Sequence, residues 1–92
     1  MIRTFRHRGL EAFFTKDDAR KLPADRLPRI TRLLDRLDAA KNPQDMNLPG
    51  WGFHGLKGDR KGTYSVEVSG NWRITFKFES GDAIEVDLED YH

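Results

Sequence analysis

The spacing of apolar residues changes once along this chain, and that change governs what it can fold into. From Leu27 onward the apolar positions are Leu27, Ile30, Leu33, Leu34, Leu37 and Ala40, one stripe at the helical period. This predicts a helix over Ala24–Ala40, with Asp25 as N-cap and Pro28 in the first turn, where a missing N–H is tolerated. Asn42-Pro43 ends it, and residues 42–52, with Pro43, Pro49, Gly50 and Gly52, read as an irregular connection. Leu10, Phe13 and Phe14 predict a shorter amphipathic helix over Gly9–Lys16. From Gly62 the period becomes two. Tyr64, Val66 and Val68 alternate with Ser65 and Glu67, and Trp72, Ile74, Phe76 and Phe78 with Arg73, Thr75 and Lys77. Ile84, Val86 and Leu88 then alternate with Glu85, Asp87 and Glu89. Ser69-Gly70-Asn71 and Ser80-Gly81-Asp82 supply the turns of an antiparallel meander. Ile2–Phe5 reads as a short edge strand. The meander has one strongly apolar face, which the helices are available to cover. The expected class is α+β: two N-terminal helices packed on one face of a twisted, mainly antiparallel sheet, made of a short N-terminal strand and a C-terminal three-stranded meander.

Ninety-two residues suit one domain spanning 1–92, able to bury about 60% of its unfolded surface in one modest core. With no cysteine there is no disulfide framework, no Cys-ligated zinc and no thiol nucleophile. No apolar run approaches the roughly 20 residues that span a bilayer. The start, Met-Ile-Arg-Thr-Phe-Arg-His-Arg, lacks a signal peptide's apolar stretch, so the cytoplasm is the expected location. The net charge of +1 argues against a nucleic-acid partner until it is divided. Residues 1–50 carry 11 Lys+Arg against 7 Asp+Glu, and residues 51–92 carry 5 against 8. The average conceals a basic first half and an acidic end.

Four polar clusters bear on chemistry. In His54-Gly-Leu-Lys57-Gly-Asp-Arg60-Lys61-Gly62 one His and three cations share a glycine-rich stretch, either a charged connecting loop or a phosphate-binding one. It is not a Walker A loop, since the Gly-Lys-Ser/Thr ending is missing. Arg73 falls mid-strand on the polar face, suited to anion binding or to a cross-strand ion pair with Glu67 or Glu85. Asp90-Tyr91-His92 follows directly from a strand and offers groups that give and take protons. Arg29, Arg32 and Arg36, at spacings of 3 and 4, form one helix face. That face either tracks a phosphate backbone or is solvated, with Asp35 and Asp38 as partners.

Taken together, His54, Lys57, Arg60, Arg73, Tyr91 and His92 fit cleavage of RNA without a metal ion. One group deprotonates a ribose 2′-OH, a cation stabilises the charge that builds on the phosphate, and an acid protonates the 5′-oxygen. DNA lacks the 2′-OH, so the mechanism selects RNA.

The loop just quoted, Ser65-Val-Glu-Val, Asn71-Trp72-Arg73-Ile74-Thr75-Phe76 and the terminal Asp90-Tyr91-His92 together resemble the HigB toxins of the RelE/ParE superfamily, over essentially the whole chain. The resemblance implies a RelE-like microbial RNase-type fold. It also implies a type II toxin that cuts messenger RNA in the ribosomal A site and halts translation. The implied partners are the 70S ribosome, its message and a helix-turn-helix antitoxin of the HigA kind, with DNA reached only through the antitoxin and no cofactor. His54, Lys57, Arg73, Asp90, Tyr91 and His92 match the family's catalytic positions. Lys57 and Arg73 would hold the scissile phosphate, His92 or His54 would act as base and acid, and Tyr91 would orient or stack on a base. Asp90 would fix a neighbouring His or contact the nucleotide. Arg60, Lys61, Arg29, Arg32 and Arg36 are the candidate RNA- and ribosome-binding residues. Gly55 stands where family members often carry Pro, and the 42–52 connection with Trp51 has no match in the pattern. The alternative on the same fold is a ParE-like toxin that binds DNA gyrase and cuts no RNA; such a protein would not need His54, Lys57, Tyr91 and His92.

Overall fold

In the computed structural model, which describes residues 1–90, two helices precede a four-stranded antiparallel sheet. The helices are α1 (Arg8–Lys16) and α2 (Leu27–Ala39). The strands are β1 (His54–Gly55), β2 (Tyr64–Ser69), β3 (Trp72–Glu79) and β4 (Asp82–Asp90), in the spatial order β1-β2-β3-β4. The meander is the one the period-two pattern predicts. Its apolar face is closed by α2, which packs on β2 and β4 and buries Ile30, Leu33, Leu34 and Leu37, while α1 packs on β4. Each such side chain contributes about 1.5–3 kcal/mol of burial. From the sheet side Val66, Ile74, Phe76 and Val86 are fully buried against them. Among the described residues no helix is long and apolar enough to cross a membrane.

Two local expectations are corrected. Asp25 does not cap α2; it lies in a 3₁₀ turn, Ala24–Arg26, that leads into the helix, and the N-cap residue Arg26 makes no side-chain capping bond. The Pro28 ring sits in the first turn of α2, as expected, where its missing N–H removes one of the amides a cap would serve. The N-terminal segment is not a strand. It makes two isolated parallel bridges to β4, Ile2 with Ala83 and Phe5 with Val86, and the fourth strand is His54–Gly55.

The bridges are isolated because β4 carries a bulge between them. The register steps from Thr75↔Asp87 to Lys77↔Ile84, and Glu85 sits at φ 52° in the left-handed region. The amide of Glu85 is taken up by the Thr4 hydroxyl at 2.8 Å. One extra residue reverses the side-chain phase, so Ala83, Val86 and Leu88 face the core while Ile84 is half-buried.

Candidate active site

The face of the sheet away from the helices is polar, and its residues lie in two rows. Ser65, Thr75 and Asp87 are opposite one another across β2, β3 and β4, as are Glu67, Arg73 and Glu89. The side chains then bond diagonally. Arg73 Nη1 donates to Ser65 Oγ at 3.3 Å and to the Gly52 carbonyl at 3.2 Å. Among the described residues Arg73 forms no ion pair, so of its two readings the cross-strand pair with Glu67 or Glu85 is absent. Glu85 instead meets Lys77 at 3.8 Å.

His54, on β1, sits directly opposite Ser65. Its Nδ1 lies 3.2 Å from the Gly52 carbonyl and its Nε2 lies 3.5 Å from Ser65 Oγ. A carbonyl only accepts, so Nδ1 carries the proton in the neutral ring and Nε2 has its lone pair toward Ser65. Ser65, fully buried, accepts a hydrogen bond from Arg73 and has its own hydroxyl hydrogen to offer His54. A titratable ring and a fixed guanidinium are thus joined through one serine. Gly52 makes this possible: its φ is +58°, and a Cβ there would stand 3.4 Å from Glu67 and 3.8 Å from Arg73 Nη1.

Beside this cluster lies a second. Arg60 grips Glu89 with both nitrogens, Nη1 to Oε1 at 2.8 Å and Nη2 to Oε2 at 2.6 Å, and Thr75 Oγ1 also donates to Oε2. The Arg60 guanidinium, chiefly, holds the Glu89 carboxyl below the usual carboxylate range against the opposing effect of burial, with help from the Thr75 hydroxyl. A cleft of about 160 Å³ opens next to the pair, lined by Arg6, Arg60, Thr63, Thr75 and Lys77 together with Asp59 and Glu85.

Lys57 and Lys61 are exposed on the loop between β1 and β2, at either end of a short turn over Gly58–Arg60. Asp90 is exposed at the end of β4, opposite Trp72. Tyr91 and His92 lie outside the described residues. The α2 arginines divide. Arg29 donates to the carbonyls of Glu67 and Gly50 and lies over the Trp51 ring. Arg36 donates to the Asp45 carbonyl at 3.0 Å. Arg32 is exposed, with no hydrogen bond or ion pair among the described residues. Asp38, expected as a partner of this stripe, accepts from the Ile2 amide at 2.8 Å. Among the described residues no group of three or more His, Asp or Glu is placed to hold a metal ion.

Ser65, Thr75, Glu89 and Gly52 are the site residues that sequence reasoning did not single out. A small polar residue near the start of a strand, between Tyr64 and Val66, was the available signal for Ser65. Glu89 had none, since it stands in a run of acids.

Comparison with known proteins adds a family to this geometry. The model of a family described as RelE-like toxin of type II toxin–antitoxin system HigB matches residues 3–92. The chain is 42% identical over 92 residues to "Endoribonuclease HigB" of Proteus vulgaris, covering 100% of both. It is 32% identical over 91 residues to "Toxin HigB-1" of Vibrio cholerae serotype O1, covering 97% of this chain and 96% of that one. Among solved structures, the YoeB dimer from Staphylococcus aureus superposes with a TM-score of 0.60 at 17% identity, over 97% of this chain and 93% of that one. That last likeness is one of fold.

Proposed function

This chain belongs to the HigB-like family of RelE-like toxins of type II toxin–antitoxin systems, and from that premise we propose that it is an endoribonuclease acting on messenger RNA in the ribosomal A site. Membership of a toxin–antitoxin family implies an antitoxin partner; in this reading the antitoxin is a helix-turn-helix protein of the HigA kind. The working partners are the ribosome and its message, in the cytoplasm.

The observation that carries the reading is the joining of His54 and Arg73 through buried Ser65 on an open polar face. Acid–base cleavage of RNA needs a proton acceptor beside a cation whose position is fixed before substrate arrives. Arg73 is held by two acceptors, so it loses little freedom on meeting a phosphate oxygen. His54 is exposed, on the same face. In the proposed reaction a histidine, His54 or His92, takes the proton of the ribose 2′-OH, which attacks the adjacent phosphorus. Arg73 and Lys57 stabilise the added negative charge. The 5′-oxygen leaves with a proton from the other histidine, giving a 2′,3′-cyclic phosphate. Asp90 orients a histidine or contacts the nucleotide, and Tyr91 stacks on a base. Lys61 and Arg32 are the outlying cations available to ribosomal or messenger phosphates.

Primer extension on one message, translated and untranslated, tests this. Cuts confined to the translated message, and lost in His54→Ala, are expected. Equal cutting without ribosomes would remove the ribosome from the account. An intact message together with inhibited gyrase supercoiling would replace it with a gyrase toxin.

A further inference from the structure

On the polar face, a carboxylate outside the proposed chemistry receives three side-chain hydrogen bonds. Glu89 takes both nitrogens of Arg60 and the hydroxyl of Thr75. Arg60 ends the Gly58–Arg60 turn that follows Lys57 directly. The base of this loop is closed by two backbone bonds, Leu56 N to the Thr63 carbonyl at 2.8 Å and Thr63 N to the Arg60 carbonyl at 2.9 Å. The turn has two backbone bonds of its own, Arg60 N–H to the Lys57 carbonyl at 3.4 Å and Lys61 N–H to the Gly58 carbonyl at 3.1 Å, and Gly58 and Gly62 both have positive φ. A glycine-rich turn of this kind needs an outside tether to present a side chain in one place.

We infer that Glu89 is a positioning residue which, through Arg60, holds the 57–61 turn and with it Lys57 against the sheet face that carries His54 and Arg73. The inference rests on the reading of that face as an RNA-cleaving site. Lysine is a flexible point charge, and its value at a developing phosphate charge depends on how well its backbone is held. A bidentate Arg–carboxylate pair fixes direction as well as distance, which a single lysine–carboxylate contact would not. The anchor end is rigid, because Glu89 lies in β4 and its second partner, Thr75, is a buried residue of β3. Arg60 therefore serves the site by fixing the loop. Among the described residues, the charged groups that face Glu89 are Arg60 from the loop, Arg6 from the N-terminal segment and Arg73 opposite it on β3.

The test is a double-mutant cycle read in RNA cleavage, with an NMR measurement that does not depend on activity. Glu89→Gln keeps the shape of the side chain and removes its charge. It is expected to lower kcat about tenfold and leave KM within about twofold. In a Lys57→Ala background the same change is expected to cost less than about twofold, because the group it positions is gone. Equal factors in both backgrounds, or wild-type kcat in Glu89→Gln, would overturn the inference. The backbone amides of Lys57 and Asp59 are expected to shift with the midpoint of Glu89 protonation in the intact protein, and to lose that transition in Glu89→Gln. Amides silent at that midpoint would overturn it as well, whether or not RNA is cut. Absence of cleavage by the wild-type chain would count against the functional reading alone.

Discussion

The guanidinium of Arg29 lies 5.4 Å from the centre of the Trp51 ring and donates at once to the carbonyls of Gly50 and Glu67. One α2 side chain therefore pins the 42–53 connection to β2 just before the connection delivers Gly52 and His54 to the site. Arg29→Ala is expected to destabilise the fold by about 2 kcal/mol, since it leaves a strand carbonyl without its donor and removes a cation–π contact. Arg29→Lys should recover only part, because one ammonium cannot reach both carbonyls in a fork. Urea unfolding of the three proteins measures it.

Arg32 stands on the same helix with its guanidinium in solvent. If the basic face of α2 meets ribosomal phosphates, Arg32→Ala should weaken ribosome binding and lower the slope of log K against log salt by about 0.7–0.9, with unchanged thermal stability. Binding titrations across a salt series give the slope. An unchanged slope would make this arginine a solvated one.

Ser65 receives from Arg73 and faces Nε2 of His54, so it should select one imidazole tautomer. Ring ¹⁵N shifts are expected to show the Nδ1–H form of neutral His54 in the parent and a mixture of forms in Ser65→Ala. The stability cost should be about 1 kcal/mol, because Arg73 keeps the Gly52 carbonyl as a partner.

The Arg60–Glu89 pair gives a stability term with a defined pH dependence. The folded carboxyl titrates below its ordinary value of 4.5, so its contribution is fully present above that pH and is lost as pH falls through the lower folded value. Glu89→Gln should therefore be less stable than the parent by about 1 kcal/mol at pH 7, with the partly exposed guanidinium limiting the gain. The two proteins should converge at a second, acidic pH below the range in which the folded Glu89 carboxyl titrates. Denaturant midpoints at the two pH values decide it.

The α2 stripe and the meander were legible because each repeats one spacing over many residues, and burial enforces that spacing. The bulge was not. Glu85 continues the alternation of Ile84, Val86 and Leu88 on paper, and only pairing with β3 and Thr4 reveals that the phase slips by one. The N-terminal bridges depend on that same slip. His54, Lys57 and Arg73 stood out as candidates through the resemblance to the HigB toxins, since their residue types alone also fitted a charged connecting loop and a cross-strand ion pair. Ser65 and Glu89 were not, because their roles arise from diagonal neighbours on a sheet, which no linear spacing encodes. Arg29 and Arg36 looked like part of a uniform basic stripe. Their carbonyl partners belong to segments 9 to 38 residues away in sequence.

The account stands on attack by a ribose 2′-OH at a site built around His54 and Arg73. Single-turnover cleavage of a translated message, with the scissile nucleotide present as ribose or as 2′-deoxyribose, tests that directly. The account predicts a 2′,3′-cyclic phosphate end from the ribose message and an intact deoxy message. Equal cutting of the two would contradict it.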